Sequence, residues 1–365
     1  MDFALACDTM FDAEGCIRPA LFLAETLTVE GYKVSIISPN MSENVEQYLK
    51  SIGIKPVNLR VKLFSRNFGL SILWLETWAR EAFLKLNSRR AGNASCVSIN
   101  FSHTLNVPSK FWYLQGPTFA ALKDMEHELT NGYRYIYKVL KPFIEQADRR
   151  LVRKLGTNSF RAVANSKFCA SLYNEMGIKV EDVIYPPIDC KVFRPSTSNP
   201  SDDYVLTYFG KETMFSVIKA VADKGVKIKA FGSKIPFIPK SVVNHPNIEF
   251  LGRISTEQLV DAYSNALFTL FVFTHEPFGY IPVESMACGT PTLTYAFQGP
   301  SESVVDGFNG WLAKDNNEII SKAVELWKKG VPNHMRLNCL RTASDFDRNT
   351  YARKWFEILQ KLETV

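Results

Sequence analysis

The chain reads as an α/β protein built from two parallel-sheet units, and three observations predict it. Apolar strand-like runs alternate with helical stretches over roughly the first half. That alternation breaks at Pro195-Ser196-Thr197-Ser198-Asn199-Pro200-Ser201, a small, polar, proline-containing run typical of a linker, and then begins again. The length of 365 residues, 46% of them hydrophobic, is enough to fill two cores.

The first unit opens with a strand at Phe3-Ala4-Leu5-Ala6-Cys7, a helix around 16–30 closed by Gly31, and a strand at Lys33-Val34-Ser35-Ile36-Ile37-Ser38, which together make a βαβ start. Further strands are expected at 96–100, 111–114, 161–165 and 183–185. After the linker, runs at 204–210, 227–232 and 247–252 each end on a glycine, and 267–273 reads as a buried strand. Ligands in open α/β sheets bind beyond the carboxyl ends of strands, so these glycines and the loop after residue 273 are candidates for one site. The expected division is 1–195, 196–345 and a last helical segment 346–365.

The segment His275–Pro291 is the most informative. Glu276 falls in the loop after a strand, Pro282 suits the first position of a helix, and Gly289 with Pro291 marks its stop. Glu284 then lies in the first turn. Between the two carboxylates, the amides of Phe278, Gly279, Tyr280 and Ile281 would stand at a positive helix end where a diphosphate fits. The carboxylates themselves suit pairs of sugar or ribose hydroxyls. Taken alone, two glutamates beside a short helix are more often ordinary solvated residues. The string that follows, Gly299-Pro300-Ser301-Glu302-Ser303-Val304-Val305-Asp306-Gly307-Phe308-Asn309-Gly310-Trp311-Leu312, makes the pattern specific.

With that string, the region resembles the glutamate-seven-residues-glutamate segment of retaining GT-B glycosyltransferases of family 4. The resemblance runs from about residue 12 to the end and is stronger after residue 160. It includes Asn158–Ser166, the proline-rich passage Tyr185–Pro195, the turn Phe250-Leu251-Gly252-Arg253-Ile254-Ser255, and Phe346–Leu359, similar to a helix that returns to the first domain. It implies two facing Rossmann-like domains with a cleft between them, and a nucleoside-diphosphate sugar as co-substrate without a further cofactor or metal. Glu276 would hold donor-sugar hydroxyls and Glu284 the ribose. Lys211, after Gly210, would face the diphosphate, and Arg253 would lie near the nucleotide.

This sequence departs from the family at several places. A second cation is usual about six positions after the first; Val217 stands there, and Lys219 is the nearest cation. The glycine-rich turn keeps one glycine, Gly15, before the matching Arg18. The strand Phe111–Leu114 leads to Gln115 where the family carries a histidine, and glutamine cannot act as a base. His103 is placed to compensate, against the plainer reading of a loop histidine satisfying local backbone.

Seven scattered cysteines without metal-ligand spacing fit a reducing compartment, and no acidic doublet suggests a metal. With no basic leader and no membrane-length apolar run, a cytoplasmic protein is expected, with a peripheral location at the inner membrane face as its extension. Residues 1–195 carry 25 Lys+Arg against 19 Asp+Glu, while 196–365 carry 18 of each. Arg134, Lys138 and Lys141, then Arg149-Arg150-Leu151-Val152-Arg153-Lys154, are the densest basic stretches. They read as a solvated face or as contact with an anionic membrane surface, and the mixed segment 64–80 could serve the same contact. A nucleic-acid partner is not expected. The expected function is sugar transfer to an acceptor hydroxyl of a lipid-linked or cell-surface glycan. A GT-B-fold sugar-nucleotide epimerase, a phosphorylase and a non-catalytic sugar-nucleotide-binding module stand as alternatives.

Overall fold

A computed structural model of the protein describes residues 2–11, 17–61, 76, 78–80, 97–124, 126, 131–197, 199–232 and 238–363. The chain divides into two compact units, residues 1–187 with 352–365, and residues 188–351.

The first unit holds a seven-stranded parallel sheet of order β3-β2-β1-β4-β5-β6-β7. Its strands are β1 (Asp2–Ala6), β2 (Lys33–Ser38), β3 (Lys55–Asn58), β4 (Val97–Asn100), β5 (Ser109–Leu114), β6 (Ser159–Ala164) and β7 (Val180–Val183). The helix Arg18–Val29 makes the first crossover, with Pro19 in its first turn, where a missing N–H costs nothing. The long helix Asn131–Thr157 leads into β6. Its buried Leu151 and Leu155 pack with Trp112, Leu114 and Tyr173, and Trp112 meets Tyr173 edge-on at 5.4 Å. Trp355, from the last helix (Arg348–Glu363), is fully buried against Phe101, Phe111 and Tyr113 at 5.8–5.9 Å.

The second unit is a six-stranded parallel sheet of order β10-β9-β8-β11-β12-β13. Here β8 is Val205–Phe209, β9 Ile228–Gly232, β10 Ile248–Gly252, β11 Thr269–Phe271, β12 Thr292–Tyr295 and β13 Gly310–Ala313. Burial on both faces explains the nearly continuous apolar runs of β8 and β11, whereas β9 and the edge strand β10 carry Lys229 and the exposed Glu249. The helix Phe215–Asp223 turns Val217, Ile218, Val221 and Ala222 to the core, the i, i+1, i+4, i+5 spacing of an inward face. The helix Thr256–Asn265 begins with a capping box, in which Ser255 accepts the Gln258 amide and the Gln258 side chain accepts the Ser255 amide.

β3, β12 and β13 were not among the expected strands. β3 and β13 are four residues each, and β3 contains Pro56, which suits its place at the sheet edge. The expected strand 267–273 is only Thr269–Phe271, because the chain then turns to bridge Phe273 with Thr213.

Candidate functional site

In each sheet the strand order reverses once, between β1 and β4 in the first unit and between β8 and β11 in the second. Loops leaving neighbouring strands at such a point diverge to opposite faces and leave a crevice at their carboxyl ends. Both reversal points carry the chemistry-bearing residues of their unit.

In the second unit, β8 runs out into Gly210 and Lys211, and β11 runs out toward Glu276. The two loops are tied together across the crevice. The Met214 amide donates to the Val272 carbonyl at 3.0 Å, and the Thr274 amide to the Glu212 carbonyl at 2.9 Å. Thr213 Oγ1 accepts the Gly210 amide at 2.8 Å and fixes the turn that presents Lys211. Lys211 is largely exposed and pairs with Glu212 at 3.2 Å.

Glu276 sits at the centre of this junction. Its Oε1 accepts the amides of Phe278 at 3.2 Å and Gly279 at 3.1 Å. Its own amide donates to Gln298 Oε1 at 2.8 Å, while Gln298 Nε2 donates to the Thr274 carbonyl at 2.8 Å. Some surface of Glu276 reaches solvent, yet protein atoms crowd the carboxyl group. That burial pushes its pKa up from 4.5 to about 7, against the two amide bonds, with the Glu212 charge adding to the rise and His275 opposing it. A carboxyl group so poised changes ionisation near neutral pH.

The helix Tyr280–Ala287 follows, capped by Gly279 at φ +94°. It begins two residues earlier than expected, so Pro282 is its third residue and Glu284 lies in the second turn rather than the first. Glu284 is buried, and Tyr263 donates its hydroxyl to Glu284 Oε2 at 3.3 Å. A second correction concerns the amides expected to face a diphosphate. Those of Phe278 and Gly279 are taken by Glu276, and the amino end of the helix is made by Tyr280 and Ile281. Phe278 is buried edge-on to Tyr280 at 5.3 Å.

Lys219 is engaged in an ion pair within its own helix. It lies on the helix Phe215–Asp223 and is bound to Asp223 at 2.7 Å, whose carboxylate also meets His245 at 3.0 Å. Val217 is 2% exposed in the core, so a cation at that position would have no water. Arg253 is exposed just beyond β10.

In the first unit, the reversal point holds Asp8 after β1 and the loop Phe101–Thr104 after β4. Asp8 is buried and accepts Thr104 Oγ1 at 2.6 Å, the Ser102 hydroxyl, the His103 amide at 3.1 Å and His103 Nδ1 at 3.0 Å. Burial alone would raise its pKa, but the hydrogen bonds and charge of His103, with those of Ser102 and Thr104, hold it below 3.8. His103 therefore binds a buried carboxylate, not simply the local backbone. Gln115, just past β5, donates Nε2 to the Phe101 carbonyl at 2.9 Å. Arg18 begins its helix and is half-buried, whereas Gly15 lies outside the described residues.

Asp8, Glu212 and Gln298 were not singled out in the sequence. For Asp8 a signal existed, an acid directly after the first strand. For Gln298 none did, because its grip comes from a residue at φ +68° after a strand that was itself unread. Among the described residues no group of three or more His, Cys, Asp or Glu is arranged to hold a metal ion.

Residues 240–339 match the family model for glycosyl transferases group 1. An uncharacterised glycosyltransferase of Methanocaldococcus jannaschii is 28% identical over 60% of this chain and 64% of its own length. The D-inositol 3-phosphate glycosyltransferase of Mycolicibacterium smegmatis is 24% identical over 48% of this chain and 44% of its own. The chain thus spans less than two thirds of the curated relatives it matches first. Among solved structures, Anabaena HepE in complex with UDP and glucose is similar with a TM-score of 0.69, at 14% identity over 99% of this chain and 100% of that one. Sucrose-phosphate synthase from Thermosynechococcus elongatus gives 0.68, at 16% identity over 100% and 99%. The two reversed parallel sheets therefore make a GT-B fold, and it carries a glycosyl transferases group 1 segment in its second unit.

Proposed function

We propose that this chain is a metal-independent glycosyltransferase that moves a sugar from a nucleoside-diphosphate donor to an acceptor hydroxyl with retention of anomeric configuration. One observation carries the reading: Glu276, fixed from both sides at the reversal point of the second sheet, with a helix amino end and Lys211 beside it.

In this reading Glu276 accepts donor-sugar hydroxyls, and Glu284 is released from Tyr263 to take the ribose pair. The diphosphate lies at Tyr280 and Ile281, with Lys211 stabilising the charge that grows on the leaving oxygen. Such preorganised groups supply a large share of a rate enhancement. The anomeric carbon breaks its bond to the phosphate oxygen as the acceptor oxygen bonds on the same face, and the acceptor proton passes to that phosphate oxygen. Gly210 and Arg253 add donor contacts in the second unit, and Gly15, Arg18 and Gln115 are assigned in the first unit by the family resemblance alone. The acceptor class is a lipid-linked or cell-surface glycan.

Incubation with uridine, guanosine and adenosine diphosphate sugars, with and without acceptor alcohols, tests this, and proton NMR of the product reads its anomeric configuration. UDP-glucose is the first donor to try, since the HepE structure holds UDP and glucose. An inverted product, or full transfer by Glu276→Ala, would overturn it.

A second reading is favoured by Val217 and by the pairing of Lys211 with Glu212, which leave little positive charge for a leaving diphosphate. A module that binds sugar nucleotides without turnover would raise its melting temperature with the donor and form no product.

A further inference from the structure

We propose that the helix Asn131–Thr157 is the face by which this protein lies on an anionic lipid surface. At 27 residues the helix is roughly 40 Å long. One side is core, with Tyr137, Ala147, Leu151, Val152 and Leu155 buried. The opposite side is unusual in what it gives to water. Tyr135, Val139 and Phe143 are 72%, 56% and 67% exposed, and their spacing of four residues sets them in one stripe along the first half of the helix. A soluble helix ordinarily turns polar residues outward there.

The same stripe continues in the second half as Arg149, Arg150 and Arg153, all exposed. The helix as a whole carries seven Lys+Arg against two Asp+Glu. Of those two acids, Asp148 is buried and Glu145 is engaged with Arg149 at 3.1 Å. Lys138, Arg150 and Arg153 have no carboxylate partner among the described residues. Beside the basic half lies a hollow of about 940 Å³, lined by Gln146, Arg149, Arg150, Arg153, Lys154 and Asn158.

Exposed apolar side chains with Lys138 among them, followed along the same face by Arg149, Arg150 and Arg153, are the groups that an anionic bilayer surface takes up. Aromatic and aliphatic groups enter the interface while guanidinium groups meet lipid phosphates. A nucleic acid would answer the arginines but not the aliphatic Val139, which cannot stack on a base. No helix among the described residues is long and apolar enough to cross a membrane, so the contact lies along the surface.

The test is vesicle flotation of the full chain without donor, using phosphatidylcholine alone or with about one third phosphatidylglycerol. Binding to the mixed vesicles only is expected. Arg150→Glu with Arg153→Glu should lower the partition coefficient by at least about 30-fold, from about 1 kcal/mol for each cation near the surface. Val139→Ser with Phe143→Ser should make the remaining binding fully reversible by salt. All four side chains are exposed, so the melting temperature should hold; Lys138→Glu alone serves as a milder variant. Equal retention by both vesicle types, binding unmoved by all three variants, or retention on single-stranded RNA without vesicle binding would overturn the proposal. Donor-induced thermal shifts read the transferase site separately, so failure of one reading leaves the other standing.

Discussion

Gln298 accepts the backbone amide of Glu276 at 2.8 Å and, through its other side-chain atom, donates to the Thr274 carbonyl at 2.8 Å. A single amide side chain thus holds Thr274 and, two residues on, Glu276 itself. Gln298→Ala removes both bonds and should cost about 1–3 kcal/mol of stability. Donor affinity should fall about tenfold in the same variant, as Glu276 loses its fixed position. Thermal melts and donor titration check both, and an unchanged donor affinity would show the clamp to be purely structural.

Glu276→Gln separates charge from shape. The folded value of about 7 lies above the ordinary 4.5, so the folded chain holds this proton more tightly than the unfolded chain. Stability from that proton is complete below about pH 4.5 and is lost as pH rises through about 7. The variant should therefore melt higher than the parent at pH 8, by no more than about 3 kcal/mol, and alike at pH 4.5. Transfer activity should fall sharply at pH 8, where the parent carboxylate is ionised, and little further at pH 4.5, where the parent is itself protonated. A stability difference independent of pH would exclude a raised Glu276 value.

Gly279→Ala meets two obstacles. Its φ of +94° disfavours any side chain, and an added Cβ would stand 2.9 Å from Pro300 Cγ. A loss of about 1–3 kcal/mol is expected, with weaker donor binding because the amino end of the helix must shift. Calorimetry with and without UDP measures both.

Asp8→Asn tests the first unit. The Asp8 value lies below the ordinary 3.8, so its stabilisation is present above that pH and is lost as pH falls through the folded value. The substitution should cost about 2–4 kcal/mol at pH 7 and less at pH 3, since the buried donors lose a charged acceptor. Chemical denaturation at the two pH values gives the comparison.

Lys211→Ala should weaken donor binding about tenfold, whereas Lys219→Ala should change it less than about twofold. The difference follows from Lys219 being bound to Asp223 on its own helix. Equal effects from the two would move the diphosphate site toward that helix.

The sheets were legible because fully buried parallel strands leave long apolar runs, as at Val205–Phe209, and because glycines mark where they stop. Short strands such as β13 left no comparable run. Glu276 was singled out by its spacing to Glu284 only in company with the string Gly299–Leu312. Its surroundings were not, since Gln298 acts across 22 residues through a backbone conformation that no local pattern announces. The exchange of Phe278 and Gly279 amides for a carboxylate was equally hidden, because a sequence names donors without saying where they point. The exposed stripe on Asn131–Thr157 was half legible: its basic residues were evident, while the exposure of Phe143 depends on which side of the helix the core takes.

Gly299 lies so close to the neighbouring loop that a Cβ there would collide with the Pro277 carbonyl, and its amide donates to the Glu276 carbonyl at 3.0 Å. The loop after β11 and the loop after β12 are therefore one interlocked cassette. Anyone grafting a donor preference from a relative would have to transplant residues 274–300 together, because exchanging either half alone would pair a new lock with an old key.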